Sequence, residues 1–375
     1  MLLPNSTIGI VGGGQLGRMS AIAAARLGFR THILSDIMDA PAAQVASGIT
    51  VGSYHDQSIL KQFAEQVNVI TFEFENINIE GIEYLATVRP VHPSSNVLKI
   101  SQDRFLEKDF LNQHDIPTTQ WISVFQLEDG INAAEKLGFP FILKTTRLGY
   151  DGKGQAVIRT DEEFKKAFKN LNPHPLIAEK KVNFYKEISV MVVQNEHDEL
   201  QTFDVTENRH KNGILDLSIA PARITSALQN KAKEIAVKIA QALKLVGILG
   251  VEMFIDDQDN ILVNEIAPRP HNSGHWTMNA CPFDQFEMHI RAVANLPLPP
   301  IARHSDAIMK NLIGPQTLEY WPKILENDRM IGHLYGKKEA KPGRKMGHVN
   351  INFPYNGLPG EFGIKAALSF LCSGD

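Results

Sequence analysis

An apolar run at 7–11 ends in Gly12-Gly13-Gly14-Gln15-Leu16-Gly17, and over 15–27 the chain reads as a helix before a second short apolar run at 30–34. Strand, glycine turn, helix and strand in that order make a βαβ unit, so the N-terminal part is expected to build a parallel, Rossmann-like sheet. The turn matches G-x-G-x-x-G, in which small residues let backbone amides approach an anion at a helix N-terminus. Asp36 closes the next strand about where a dinucleotide fold places its ribose-binding acid. Three readings stand on this region alone: a nicotinamide-dependent dehydrogenase, glycines that only permit close strand-to-helix packing, and a phosphate or substrate site unrelated to any dinucleotide.

At 375 residues the chain exceeds what one hydrophobic core usually serves, so two or three domains are expected. With 43% hydrophobic and 21% charged residues it fits a folded enzyme rather than a fibre or a disordered chain. A formal charge of -4 gives no electrostatic case for nucleic acid or an acidic membrane, so an anion must be bound by a local site. Cys281 and Cys372 lack metal-type spacing and read as inert thiols in a reducing compartment. No basic segment and long apolar core open the chain, and the apolar stretch 235–255 is broken by Lys238, Lys244 and Glu252. A cytoplasmic protein without secretion signal or membrane span is expected.

A further strand is expected at 67–72, and Pro90 with Pro93 marks the end of a first domain near Asn96. Then come a charged helical segment, a strand at 140–145, a glycine-rich loop, an acid-rich helix from Asp161, and strands at 176–182 and 187–193. Ala232, Ile235, Ile239 and Leu243 recur at helical spacing, giving an amphipathic helix that should cover a sheet. Pro297, Pro299 and Pro300 break the chain before a smaller region with the basic loop 337–345. The expected division is 1–96, 97–298 and 299–375.

Lys144 ends its strand and is followed by Gly149, Tyr150, Asp151, Gly152, Lys153, Gly154 and Gln155. Three glycines and a lysine in so short a loop can close over a phosphate chain; a plain Asp-Gly turn is the alternative. Glu179, Lys180, Lys181 and Val182 lie on a strand whose backbone can pair with an adenine edge, and Glu187 is placed for ribose hydroxyls. In isolation, a solvated charged strand accounts better for Lys180 and Lys181.

The segments GVEMFI (250–255) and ILVNEI (261–266) flank the polar turn 256–260 and read as a hairpin. A four-residue loop, 257–260, sets Glu252 opposite Glu265 and Phe254 opposite Val263. Like charges so placed destabilise a sheet unless a divalent cation sits between them. Carboxylates combined with substrate phosphates suit magnesium, with Asn264 and Asn272 available to complete the shell; two carboxylates on a hydrated face are the alternative. The proline-fixed loop that follows carries Arg269, His271 and Ser273, all able to bind phosphate oxygens. His275 and Trp276 are as readily core residues.

Together these segments resemble the ATP-grasp enzymes, and among them the group that carboxylates an aminoimidazole ribonucleotide in purine biosynthesis. The resemblance spans nearly the whole chain: GGGQLGRM (12–19), FEFENI (72–77), GYDGKGQ (149–155), NEIAPRPHNSGHWT (264–277) and KPGRKMGHVN (341–350). It implies a mixed α/β and α+β, three-domain architecture: a Rossmann-like pre-ATP-grasp sheet, a central ATP-grasp domain holding ATP between two subdomains, and a small C-terminal domain. Carried over by position, Arg104, Lys144, the loop from Gly149 to Gln155, Glu179, Lys180, Lys181, Val182, Glu187, His210, Asn264 and Glu265 contact ATP. Glu252 and Glu265 hold Mg2+. Gln15, Leu16, Glu73, His271, Ser273, Lys338, Arg344 and Lys345 surround the ribonucleotide, with Asp151, Arg269 and Lys338 as catalytic candidates. Lys341 stands where the resemblance leads one to expect arginine, keeping the charge without the bidentate fork.

The implied reaction joins bicarbonate, ATP and aminoimidazole ribonucleotide through carboxyphosphate, in a homodimer. Competing readings are a formate-dependent or biotin-dependent ATP-grasp enzyme, a silent nucleotide sensor of the same fold, and the dehydrogenase.

Overall fold

The computed structural model describes residues 1–149, 153–171 and 175–371. The chain opens with β1 (Thr7–Val11), α1 (Gln15–Arg26), β2 (Arg30–Ser35), β3 (Gly48–Val51), α2 (Gln57–Glu65), β4 (Val69–Phe72) and α3 (Ile79–Val88). These strands pair in parallel in the order β3-β2-β1-β4, the expected Rossmann-like sheet. Helices cover both faces, which is why Ile8, Ile10, Ile33, Leu34 and Ile70 are all buried and the strands read as apolar runs rather than alternations. The next helix, α4 (Ser95–Gln102), crosses the expected boundary near Asn96. Its Leu98 packs in the core of the first sheet and its Val97 in the core of the central one, so the helix forms the seam itself.

After α5 (Arg104–Gln113) come β5 (Trp121–Val124), α6 (Asp129–Leu137), β6 (Phe141–Thr145), β7 (Gln155–Ile158), α7 (Asp161–Leu171) and β8 (Leu176–Lys180). Their strands form an antiparallel sheet, β5-β8-β6-β7, packed on its helices through Phe141, Leu143, Phe164 and Leu176. Lys181 and Val182, expected on the strand, lie in the connection that follows it.

The central sheet takes β9 (Phe184–Gln194), β10 (Leu200–Thr202), β11 (Thr206–Lys211), β12 (Ile214–Ala220), then after α8 (Ser226–Ala242) β13 (Gly247–Asp256) and β14 (Ile261–Ala267). Helices α9 (Thr277–Ala280) and α10 (Gln285–Val293) precede β15 (Ser305–Ile313), α11 (Thr317–Glu326), β16 (Met330–Leu334), β17 (Lys345–Pro354) and α12 (Glu361–Ala367). Among the described residues the order is β14-β13-β9-β11-β12-β15-β17-β16, with β10 on β9. The C-terminal region therefore has no sheet of its own; its strands extend the central one past β12. As its spacing predicts, α8 buries Ala232 and Ile239 against this sheet. The outer surface of α1 joins it through α10, where Leu16 and Met19 meet Phe286 and Ile290.

The β13/β14 hairpin departs from the expected register. Its loop is one residue longer, so Met253 opposes Val263, and Phe254 opposes Leu262 instead of Val263. Asn264 then bulges without a partner, the two offsets cancel, and Glu252 still opposes Glu265. Among the described residues no helix is long and apolar enough to cross a membrane. Cys281 is buried, and burial pushes its thiol up to about 12, which suits an inert role; Cys372 lies outside the described residues.

Candidate active site

The glycine cluster already has its anion. The Glu73 carboxylate, from the end of β4, accepts from Gly14 N–H at 2.6 Å and Gly17 N–H at 3.1 Å, at the N-terminus of α1. A Cβ at Gly14 would lie 2.5 Å from Glu73 Oε1, and Gly12, at φ +108, would drive one to 2.5 Å from Glu73 Cγ. The glycines thus make room for the chain's own carboxylate where a dinucleotide would put its pyrophosphate. The dehydrogenase reading fails on this geometry. Burial pushes the Glu73 pKa up, while the two amides and Arg269 act against that rise.

A cavity of about 660 Å³ opens between the β5-β8-β6-β7 sheet, the central sheet and the edge of the first sheet. On its upper wall Lys144 and Glu179, diagonal neighbours on β6 and β8, pair at 2.7 Å. Burial acts to raise the Glu179 pKa, but Lys144, Lys108 and Arg104 outweigh it and hold the carboxyl down at about 2. Gly149, Lys153, Gln155, Lys180, Lys181 and Val182 continue this wall. Across the cavity, Glu187 on β9 meets His210 Nδ1 at 2.6 Å. Burial works to lower the His210 pKa, yet Glu187 and Glu252 carry it above the usual histidine value.

Glu252 and Glu265 face the cavity floor from the bulged hairpin. Burial first, and Glu265 second, push the Glu252 carboxyl well up; for Glu265, burial is outweighed by Arg104, Lys144 and Arg269, and its pKa goes down. Arg104 stands 3.4 Å from Glu265 Oε2. The bulge frees backbone groups, and α5 takes them up: Lys108 Nζ donates to the carbonyls of Val263 at 3.2 Å and Asn264 at 2.7 Å, while Glu107 accepts from Ile266 N–H at 3.0 Å. Both α5 side chains are buried. Asn264 Oδ1 is buried with no partner beside the two carboxylates. Two carboxylates and an orphaned amide oxygen fit a hard divalent cation that takes its remaining ligands from phosphates and water. Among the described residues no cluster of three or more His, Cys, Asp or Glu makes a cage for an ion without them.

Toward the first sheet the wall is Gln15, Leu16, Glu73, Arg269, His271 and Lys345. Arg269 is held by Glu75 at 2.8 Å. Gln285, buried at the start of α10, clamps the following loop by accepting from His271 N–H and donating to His271 O, both at 2.9 Å. Burial, with Arg269 and Lys345 adding to it, lowers the His271 pKa well below the usual value.

Several expected residues are placed elsewhere. Ser273 is fully buried behind His271 and is not on the cavity wall. Lys338 lies off the wall and pairs with Asp39 at 2.6 Å, and the exposed Arg344 donates to Glu339 O. Lys341 pairs with Glu339 at the surface. Gly154 sits behind the loop, where its carbonyl accepts from Thr145 N–H. Tyr150, Asp151 and Gly152 lie outside the described residues. Glu107, Lys108 and Gln285 were missed, because adjacent charges on a helix read as a solvated face and a helix-start glutamine carries no pattern.

Three family models match the chain: a ribonucleotide synthetase preATP-grasp domain over 5–102, an ATP-grasp domain over 109–286, and a phosphoribosylaminoimidazole carboxylase C-terminal domain over 307–355. N5-carboxyaminoimidazole ribonucleotide synthase of Brucella melitensis is 48% identical over 93% of this chain and 96% of its own length. The Bacillus subtilis enzyme of that name is 40% identical over 94% of this chain and 92% of its own. An ADP complex of an N5-carboxyaminoimidazole ribonucleotide synthetase superposes with a TM-score of 0.94 at 42% identity, covering 99% of this chain and 97% of that one. The Aspergillus clavatus enzyme, solved with ADP and 5-aminoimidazole ribonucleotide, gives 0.90 at 31% identity, with 98% of each chain covered. On whole-length similarity, domain order and fold alike, the chain belongs to the N5-carboxyaminoimidazole ribonucleotide synthase family of ATP-grasp enzymes.

Proposed function

We infer that this chain is an ATP-dependent carbon–nitrogen ligase that carboxylates 5-aminoimidazole ribonucleotide with bicarbonate, releasing ADP and phosphate, in purine biosynthesis. The observation that carries the reading is one continuous cavity with two chemistries. Lys144, Gly149, Lys153, Glu179 and Glu187 stand at one end, and Arg269, His271 and Lys345 at the other, with the Glu252/Glu265 pair also on its wall. Phosphoryl transfer depends chiefly on positioning and charge, and this arrangement supplies both.

In this reading Lys144 and the loop with Lys153 hold the triphosphate, and Glu187 takes the ribose hydroxyls. Glu252 and Glu265, with Asn264 beside them, would hold Mg2+, which would supply neutralisation of charge on the phosphate oxygens. Bicarbonate attacks the γ-phosphorus to give carboxyphosphate, and the ribonucleotide amine then captures its carboxyl carbon and expels phosphate. Arg269, fixed by Glu75, is assigned to the carboxyphosphate, and Asp151 to the amine proton. The loop excludes water from an intermediate that would otherwise hydrolyse. We also assign the chain to a cytoplasmic homodimer on the family resemblance, and keep the divisions 1–96, 97–298 and 299–375 that the proline breaks suggest, with α4 bridging the first of them.

The test is ADP release by purified protein with magnesium and ATP, adding bicarbonate and ribonucleotide separately and together. The reading expects ribonucleotide-dependent release with a carboxylated nucleotide as product. Product formed with formate in place of bicarbonate would transfer the chain to the transformylase reading, and ATP binding without turnover to a sensor.

A further inference from the structure

His271 reaches the cavity wall with Nε2 3.4 Å from Glu252 Oε1. Its other ring nitrogen points away from the cavity. Nδ1 lies 2.8 Å from Ser273 Oγ, and the Ser273 backbone N–H also points at it, at 3.4 Å. Behind Ser273 runs a buried chain of hydrogen bonds. Ser189 Oγ–H donates to Ser273 Oγ at 2.7 Å, Asn208 Nδ2–H donates to Ser189 Oγ at 3.0 Å, and Ser218 Oγ–H donates to Asn208 Oδ1 at 2.9 Å. Ser273, Ser189, Asn208 and Ser218 are between 0% and 5% exposed, so no bulk water competes for these groups.

The far end sets the direction. An amide nitrogen can only donate, so Ser189 Oγ accepts from Asn208 and must send its own proton onward to Ser273. Ser273 Oγ, having accepted, sends its proton to His271 Nδ1. That nitrogen receives a hydroxyl and a backbone amide, so it carries a lone pair and the ring proton sits on Nε2. We propose that Asn208 is a positioning residue which, through Ser189 and Ser273, locks His271 in the tautomer presenting Nε2–H to the cavity beside Glu252. The opposite tautomer would present a lone pair to a site built for phosphate and carboxylate oxygens, turning an attractive donor into a repulsive acceptor. The identity of that anion rests on the carboxylation reading; the tautomer does not.

The experiment uses the full chain labelled with 15N-histidine, in which long-range 1H–15N correlations distinguish protonated from bare ring nitrogens. The His271 signals are those lost in His271→Gln. Wild-type protein is expected to carry the proton on Nε2. Asn208→Asp keeps the shape but, once ionised at alkaline pH, accepts from Ser189 and reverses each hydroxyl, moving the His271 proton to Nδ1. Its kcat should fall by about a hundredfold, the lower end for loss of one oriented donor, with KM for ATP unchanged. Should that variant not fold, Asn208→Leu removes the fixed donor without adding charge, and both tautomers should coexist. A wild-type proton on Nδ1 would overturn the proposal, as would an unchanged tautomer in the folded variants, even with turnover lost. Because the spectra need no substrate, failure of the carboxylation reading would show separately, as absence of carboxylated product with the tautomer shift intact.

Discussion

Lys108 has no solvent exposure, yet its ammonium is held by two backbone carbonyls directly behind Asn264 and acts electrostatically on Glu179 and Glu265 from one place. Replacing it by methionine leaves those carbonyls without a donor and removes the cation that acts most strongly on Glu107. Removing one member of a buried charge network typically costs about 3–5 kcal/mol. Urea unfolding of Lys108→Met should show a loss of that order; a loss below about 1 kcal/mol would mean that water replaces the ammonium without penalty. Such a residue is illegible in sequence, since Glu107-Lys108 reads as surface until two freed carbonyls are known to lie above it. Glu73 was legible as a site residue through its company, but its work is inward, against Gly14 and Gly17. Lys338 and Arg344 entered the expected site by position through the resemblance, and position does not tell a surface contact such as Lys338 with Asp39, or Arg344 with Glu339 O, from a substrate contact.

At the scale of elements, β13 and β14 place two carboxylates face to face, and burial makes that pair costly while no cation is bound. Glu252→Gln removes the repulsion. The metal-free variant should be as stable as the parent or up to about 1 kcal/mol more so, the range of a like-charge cross-strand pair. Magnesium with ATP is expected to raise the Tm of the parent and not of this variant, which thermal unfolding with and without magnesium reads directly. An unchanged increase would place the ion elsewhere. The hairpin was legible because apolar residues flank a polar turn; the Glu252/Glu265 pairing follows from a loop one residue too short and holds because the Asn264 bulge cancels that offset. The Asn264 bulge was not legible, since strand periodicity gives the face of a residue and carries no mark of a skipped partner. The parallel sheet, β6, β8 and α8 follow from short apolar runs, glycines and helical spacing. The continuation of the central sheet into β15, β17 and β16 depends on pairings between strands far apart in the chain.

Across the whole molecule, the first sheet docks on α10, and His289 lies buried at that junction with Nε2 3.0 Å from Thr71 Oγ1. Burial, with His92 adding to it, pushes its pKa down to about 3. Below an unfolded value near 6.5 the unfolded chain binds a proton that the folded one refuses, so stability is complete above that pH and falls as pH drops toward 3. His275 and His348 shift in the same direction for the same reason. Each such histidine steepens the decline by up to about 1.4 kcal/mol per pH unit. His289→Gln should therefore lose stability less steeply between pH 6 and 5 in urea titrations; an identical slope would mean that His289 takes up its proton in the folded state.

The proposed reaction has a single cavity pass a carboxyl group from bicarbonate to a ribonucleotide amine through carboxyphosphate. Turnover with 18O-labelled bicarbonate tests it most directly, because the oxygen that attacks the γ-phosphorus stays with phosphate when the amine takes the carbon. Inorganic phosphate carrying one 18O atom, formed together with the carboxylated ribonucleotide, is the predicted result; unlabelled phosphate released in the same turnover would contradict it.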